Sequence, residues 1–583
     1  MKKIIILIIA GLFVAGCGKD FLDRKPLSDL TVSNFYKTSS DAKEAILAVY
    51  SVLQGQRFYG TSYMEVTEYP SDDASTKLAT EPLDDFNWSS AKGLGGEPKF
   101  KDIWVEIYEG VYRSNLVLQN VPGISMKEED KKIILAEAQL LRGVFYWHLA
   151  TLFGNGPVFI KPAEKIDDVI AKANTRNEIF EQAIKDMEEA LPNLPEAWDA
   201  TNTGRLTKTA GQAFLGKAYL YYACHNKANS AVLFTKSANN LRAVVNSGRY
   251  QLLPSFSKVF TEDNENNKES VFEIQYKNRG AIYLGWYSDG GNANEGSQRD
   301  LRFGIQNQTS QYGFGEIIAT QNWANSLEIG DPRIRLTVIF VWDSTLNGYE
   351  AGTNDKYNKT VVYQPSWGRQ IKAASNILGE YYHVKKAVSG YVGSGGALNS
   401  GNNWRMIRYA DVLLMLAEAI GETEGVTSEA VGYLNQVRQR AKGTLGYGIS
   451  NSIDVTNPSF VETVAGSSFL NDFPYVATNT DILDPFTGEI NVIDLSDGSK
   501  LSFQKAIVLE RRAELAFEYH RFLDMVRWQA YDENHPGAAN QVFAKKLLNT
   551  DKKLYIKDKH KLFPIPQTEI DLAKGKIEQN PQY

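Results

Sequence analysis

The sequence predicts a protein dominated by α-helices, with helix hairpins scattered along the chain that stack into one solenoid-like body. Three observations lead there. Apolar residues recur at spacings of three and four in long segments of both halves. No Pro-rich or Ser-rich linker divides the 583 residues, and 43% hydrophobic content supports a sizeable core. Between the helical segments lie stretches rich in Gly, Asn, Tyr and Trp with only short strand-like runs.

The first segment is a leader. Lys2 and Lys3 precede an apolar run from Ile4 to Ala15, a charged region before a hydrophobic one. The run is short for a permanent membrane span. It ends Val14-Ala15-Gly16-Cys17, which resembles a bacterial lipobox and marks Cys17 for lipidation; an ordinary signal peptide with an incidental cysteine is the alternative. Cys17 and Cys224 are the only cysteines, so an exported chain with an acylated Cys17 takes its stability from its core and not from disulfides. Cys224, in an apolar helical stretch, is expected to pack as a small hydrophobe.

Gly18 to Ser40 reads as an extended tether that docks. Helices are expected over 41–53, with Ala42, Ala45, Ile46, Val49 and Leu53 on one face, and over 100–121, with Trp104, Ile107 and Val111. The next expectation is 131–153, stopped by Gly154 as a C-cap. Helices follow at 174–191, 207–224 and 234–246, then at 406–421 and 428–441. Leu215-Gly216 followed by Tyr219 fits the core of a tetratricopeptide helix, with Gln212 at the tryptophan position of that motif. Strand-like runs occur at 271–276 and 336–341. The segments 255–404 and 443–500 are otherwise irregular, and long irregular stretches with many aromatics are expected to carry function. Near the C-terminus, Pro-x-Pro at 564–566 is extended and Thr568 is the expected helix cap.

The organising stretch is Glu510 to Trp528, read as one buried helix. Ala506, Leu509, Ala513, Ala516 and Phe517 form its apolar stripe. Arg511, Glu514, Glu518, Arg521, Asp524 and Arg527 follow at separations of three or four, a ladder of ion pairs along one face. With an arginine in reach of every acid, these carboxyls are held ionised and are poor general acids, so the stretch reads as a structural lock.

The same stretch, Arg-Arg-x-Glu-Leu-x-Phe-Glu followed by Arg-Phe-x-Asp-x-x-Arg-Trp, resembles the C-terminal signature of the SusD/RagB family. So do Phe21-Leu22-Asp23 with Pro26, the Ala-Glu-Ala, Leu-Arg, Tyr and Phe-Gly-x-x-Pro pattern of 136–157, and Gly204 to Lys208. RYADVLLMLAEA, LNQVRQRA, KLFPIPQTEID and the terminal Asn580-Pro581-Gln582-Tyr583 extend the likeness to the last residue. The resemblance implies an all-α-dominated tetratricopeptide-like scaffold, its loop-rich second half carrying short strands. It divides the chain into a leader at 1–17, an N-terminal helical region at 18–254 and a C-terminal region at 255–583. It further implies a cell-surface lipoprotein of the outer membrane that binds glycans and delivers them to a SusC-like TonB-dependent transporter. Departures are the insertion 443–500 and Tyr519, where many relatives have glycine.

The remaining chemistry is spare. A net charge of −6 without a basic stripe excludes nucleic acid as the expected partner. None of the six histidines has metal-ligand spacing, and there is no nucleophile elbow, phosphate loop or dinucleotide fingerprint, so no enzyme activity, cofactor or metal is expected. Glycosidases have no universal short motif, which keeps a surface hydrolase open beside a peptide-binding or adaptor lipoprotein. A sugar face needs an aromatic platform with polar partners at its edge. Two loop stretches supply both. Asp72, Asp73, Asn87 and Trp88 form the first; Tyr283, Trp286, Tyr287 and Trp323, near Asp289, Asn292 and Arg299, form the second.

Overall fold

The computed structural model describes residues 35–76, 83, 97–277, 296–303, 316–320, 323, 326–327, 331, 333, 337–341, 381–384, 386, 400–442, 493–494, 499–500, 503–544 and 558–583. The expected leader with Cys17 and most of the expected insertion at 443–500 lie outside them.

The frame is a relay of helices. α1 (Ser39–Gln54) opens with Thr38 in a reciprocal cap with Asp41 and buries the predicted face, Ala42, Ala45, Ile46, Val49 and Leu53. α2 (Ser62–Glu68) follows after one irregular turn. Then α3 (Glu97–Asn120), α4 (Glu128–Leu152), α5 (Arg176–Ala190), α6 (Lys208–His225) and α7 (Ser230–Asn246) each pack on the next. The relay continues across the irregular middle of the sequence: α7 packs on α8 (Tyr409–Thr423), and α8 on α9 (Ser428–Lys442). Finally α10 (Phe503–Glu514) packs on α8, and α11 (Arg521–Tyr531) on α6. One hydrophobic cluster runs from Ala42 to Ile577, so both halves share a core. The expected all-α-dominated, tetratricopeptide-like architecture is what forms.

Local sequence explains the close approaches. Gly216 in α6 faces α7, and a Cβ there would lie 2.6 Å from Leu241 Cγ; the small residue of the Leu-Gly-x-x-Tyr run lets the hairpin close. Thr175 and Thr207 cap α5 and α6. Gly154 ends α4 at φ +77°, its N–H reaching Leu149 O at 3.1 Å. Asn580 completes that terminus, donating to Phe153 O at 2.8 Å and to Phe563 O at 2.7 Å, so the chain end is sealed onto α4.

Short strands fill the gaps. β1 (Ala74–Thr76), β3 (Ile317–Ala319), β4 (Val338–Val341) and β5 (Tyr381–Val384) form an antiparallel sheet ordered β1-β3-β5-β4. β2 (Ser270–Ile274) pairs with β6 (Trp404–Arg408), Ser270 opposite Arg408 and Ile274 opposite Trp404.

Three expectations are corrected. Met406 and Ile407 belong to β6, not to a helix; pairing with β2 holds the backbone extended through Arg408, and α8 starts at Tyr409. Thr568 is the second residue of α12 (Gln567–Leu572), whose N-cap is Pro566. The stretch 510–528 is two helices. Between them Phe517 and Tyr519 take φ +60° and +67°, the left-handed region that suits glycine, which is why glycine fits position 519. Tertiary partners replace the helical hydrogen bonds in this break. Lys386 Nζ donates to Glu514 O at 2.7 Å and to Ala516 O at 3.1 Å, and Tyr519 N donates to Glu68 Oε1 at 2.8 Å.

Replacing Gly216 tests the hairpin closure. Gly216→Val should lower stability by about 1–3 kcal/mol through overpacking against Leu241, seen as a lower midpoint in urea unfolding.

Candidate functional site

The break between α10 and α11 sits over a cluster of buried charges. Glu514 is fully buried. Its Oε1 accepts from Arg408 Nη1 at 2.7 Å and from Arg440, and its Oε2 accepts from Arg333 Nη1 at 3.0 Å. Burial alone would raise this carboxyl, yet Arg440, Arg408 and Arg333 hold it well below the ordinary range. Glu518 accepts both prongs of Arg408, at 2.7 and 2.8 Å, and faces Lys386. Glu269 joins Arg408 and Arg440 from the other side, at 2.7 and 2.8 Å.

A second cluster adjoins it. Arg511 bridges Asp411 at 2.9 Å and Asp524 at 2.8 Å, and Arg527 grips Glu418 and Asp524. Thus Glu514 and Glu518 are structural, as expected, but the predicted ladder along one helix is not what satisfies them. Their cations come from β6, from α9, and from Arg333 and Lys386. Arg408, Asp411, Glu418 and Arg440 were visible as motif residues, and their pairing was not. Arg333 and Lys386 carry no signal in sequence.

The earlier motifs resolve in the same way. Glu137 of Ala-Glu-Ala pairs with Arg205 of the Gly204–Lys208 run, and Arg142 forms a two-pronged pair with Asp186 at 2.8 and 2.5 Å. Cys224 is buried as a hydrophobe; burial pushes its thiol up to about 12, beside Arg527 Nη1 at 3.7 Å.

Three of the expected ligand residues are internal, and this corrects the reading of them as an exposed platform. Asp72 accepts from Arg521 at 2.7 and 3.0 Å and pairs with Arg512 at 2.9 Å. Asp73 accepts from Arg512 Nε at 2.6 Å. Both are at most 1% exposed and fasten β1 to the 512–521 segment. Trp323 is completely buried, edge-on to Phe517 at 5.4 Å, its indole N–H donating to Arg512 O at 3.4 Å. The arginines next to this segment give the aspartates better partners than solvent or a sugar would. Trp88, Tyr283, Trp286 and Tyr287, with Asn87, Asp289 and Asn292, lie outside the described residues. Among the described residues there is no cluster of three metal-ligating side chains, and no helix is long and apolar enough to cross a membrane.

The comparisons agree with this frame. Residues 268–583 match the model of the SusD family, and residues 20–220 match one described as starch-binding, associating with the outer membrane. SusD-like protein P25 of Formosa agariphila is 23% identical over 540 residues, spanning 88% of this chain and 86% of that relative. The crystal structure of a SusD homolog from Bacteroides thetaiotaomicron superimposes with a TM-score of 0.69 at 20% identity, covering 97% of this chain and all of the other. Surface glycan-binding protein A from the same organism, in complex with laminarihexaose, gives 0.65 at 20% identity, covering 93% and 100%.

The depressed Glu514 carboxyl gives a test. A depressed folded pKa at Glu514 contributes stability that is present above the unfolded value near 4.5 and is lost as pH falls below it. Glu514→Gln should therefore cost about 3–5 kcal/mol at pH 7 and flatten the acid limb of stability, measured by denaturant unfolding from pH 3 to 7.

Proposed function

This chain belongs to the SusD family, and from that premise we propose that it is a non-enzymatic outer-membrane lipoprotein that captures glycans at the cell surface. It hands them to a SusC-like TonB-dependent transporter. The observation that carries this reading is the family match over more than half the chain, 268–583, joined by the starch-binding model over 20–220. The laminarihexaose held by the glycan-binding protein of the same fold makes an oligosaccharide the first ligand to try.

Four carboxyls of the charged interior are unsuited to acid catalysis. Glu514, Glu518, Asp411 and Asp524 are each buried against cations that hold them below the ordinary carboxyl range, the opposite of what a general acid needs. With Asp72, Asp73 and Trp323 committed to the interior, the platform falls to Trp88, Tyr283, Trp286 and Tyr287. Cys17 carries the lipid, and several acyl chains there make the attachment durable where one would not.

Isothermal titration with laminarihexaose, maltooligosaccharides and unrelated peptides tests the function. Binding of an oligosaccharide supports it; binding of peptides alone overturns it. For whichever glycan binds, Trp88→Ala or Trp286→Ala should weaken affinity about tenfold without lowering the melting temperature, since an aromatic contact contributes about 0.5–1.5 kcal/mol beyond its buried area. Full affinity in both variants moves the site elsewhere.

Cys17→Ala should lose palmitate labelling and outer-membrane fractionation. Retention of both excludes Cys17 as the acceptor.

A further inference from the structure

The turn between α10 and α11 is held by Lys386 and by Glu68, and the two attachments differ. Lys386 Nζ has three hydrogens and three acceptors: Glu514 O at 2.7 Å, Ala516 O at 3.1 Å and the Glu518 carboxylate at 2.5 Å. Glu68, the last residue of α2, is 1% exposed. Its Oε1 accepts from Tyr519 N at 2.8 Å, and its Oε2 is buried with no donor. Among the described residues it forms no ion pair.

The buried carboxyls around it are treated otherwise. Glu514 and Glu518 each meet more than one cation. Asp72 and Asp73 meet Arg512 and Arg521. Glu65, three residues earlier on α2, meets Lys99 and Arg302. A carboxylate stripped of water needs a cation or several donors, and a single backbone N–H supplies neither.

The charges that face Glu68 do not make up the difference. Asp73 and Glu518 oppose its ionisation; Lys386 favours it but has spent its hydrogens on the turn. On the α3 side Arg57 and Asp102 face each other at 3.7 Å. The phenols of Tyr59, Tyr63 and Tyr519 are raised by burial and stay neutral, as does His148, pushed down to about 3 by burial. Burial, opposed chiefly by the Tyr519 amide, pushes Glu68 up to about 8.

We propose that Glu68 is carried as a neutral acid and makes the 517–519 turn a proton-linked latch, which opens by hydrating the carboxyl and passing its proton to water. Raising the pH therefore loosens the segment that joins α10 to α11. The closed turn keeps the proton up to about pH 8, the opened one only to the ordinary value of 4.5. The stability Glu68 gives the closed turn is thus fully present below 4.5 and is lost as pH rises through 8. Within that window the opening constant grows about tenfold per pH unit, and above it the growth stops. Lys386, held down to about 8 by burial, acts above the window and with the opposite sign.

Hydrogen exchange of the 515–520 amides tests the latch in the detergent-solubilised full chain at pH 6 and 7.5, corrected for the intrinsic pH dependence of exchange. The opening constant should rise about thirtyfold between these two pH values. It should stay level in Glu68→Gln, which keeps the shape and the acceptor without an ionisable group. The infrared difference between the two proteins at pH 6.5 should contain one C=O band of a protonated carboxyl. A level opening constant in the parent chain, the same rise in Glu68→Gln, or absence of that band overturns the latch. So does failure of this neutral, isosteric variant to fold.

Discussion

Glu514 brings a negative charge into an interior with almost no solvent, and three arginines from distant parts of the chain come to meet it. Arg333 lies between β3 and β4 in the sequence, Arg408 ends β6, and Arg440 lies in α9. A charge so buried is tolerated only when its partners are present and well oriented. The network therefore closes only when the helical relay, the β2–β6 ribbon and the middle segment are all in place. The two halves are tied by neighbouring pairs, Asp72 and Asp73 with Arg512 and Arg521 and Lys217 with Asp411.

The break after α10 follows from it. A continuous helix through Leu515 to His520 would keep the Glu514 and Ala516 carbonyls for its own N–H groups, and Lys386 would lose them. The chain instead turns twice through left-handed backbone and then resumes as α11, which brings Asp524 back to Arg511 and Arg521 to Asp72. Backbone strain at Phe517 and Tyr519 is offset by the hydrogen bonds that Lys386 and Glu68 make to this turn.

This also changes what the signature residues mean. Arg511, Arg512, Glu514, Glu518, Arg521, Asp524 and Arg527 all hold elements together, and none is free to touch a ligand. Asp72 and Asp73 serve the same frame from the other side.

Much of this was determined by local sequence. Helical periodicity at 41–53, 100–121 and 428–441, the caps Thr175 and Thr207, and the stop at Gly154 depend only on residues within a turn or two, so one-dimensional spacing captures them. The structural assignment of Glu514 and Glu518 was legible too, because acids interleaved with arginines leave little room for a proton-transfer role. What only the tertiary structure decided is who pairs with whom. The 510–528 stretch looked like one helix because its spacing fits one. It breaks because Lys386 and Glu68, far away in sequence, compete for its backbone groups. Asp72, Asp73 and Trp323 looked like surface recognition residues because their neighbours are polar or Gly-rich. They are interior because Arg512 and Arg521 arrive from more than 400 residues beyond Asp72 to neutralise the aspartates, and because the Arg512 carbonyl accepts from Trp323. Pairing between residues hundreds of positions apart leaves no periodic trace in a single sequence, so the fold class could be read from it and the identity of the buried charges' partners could not.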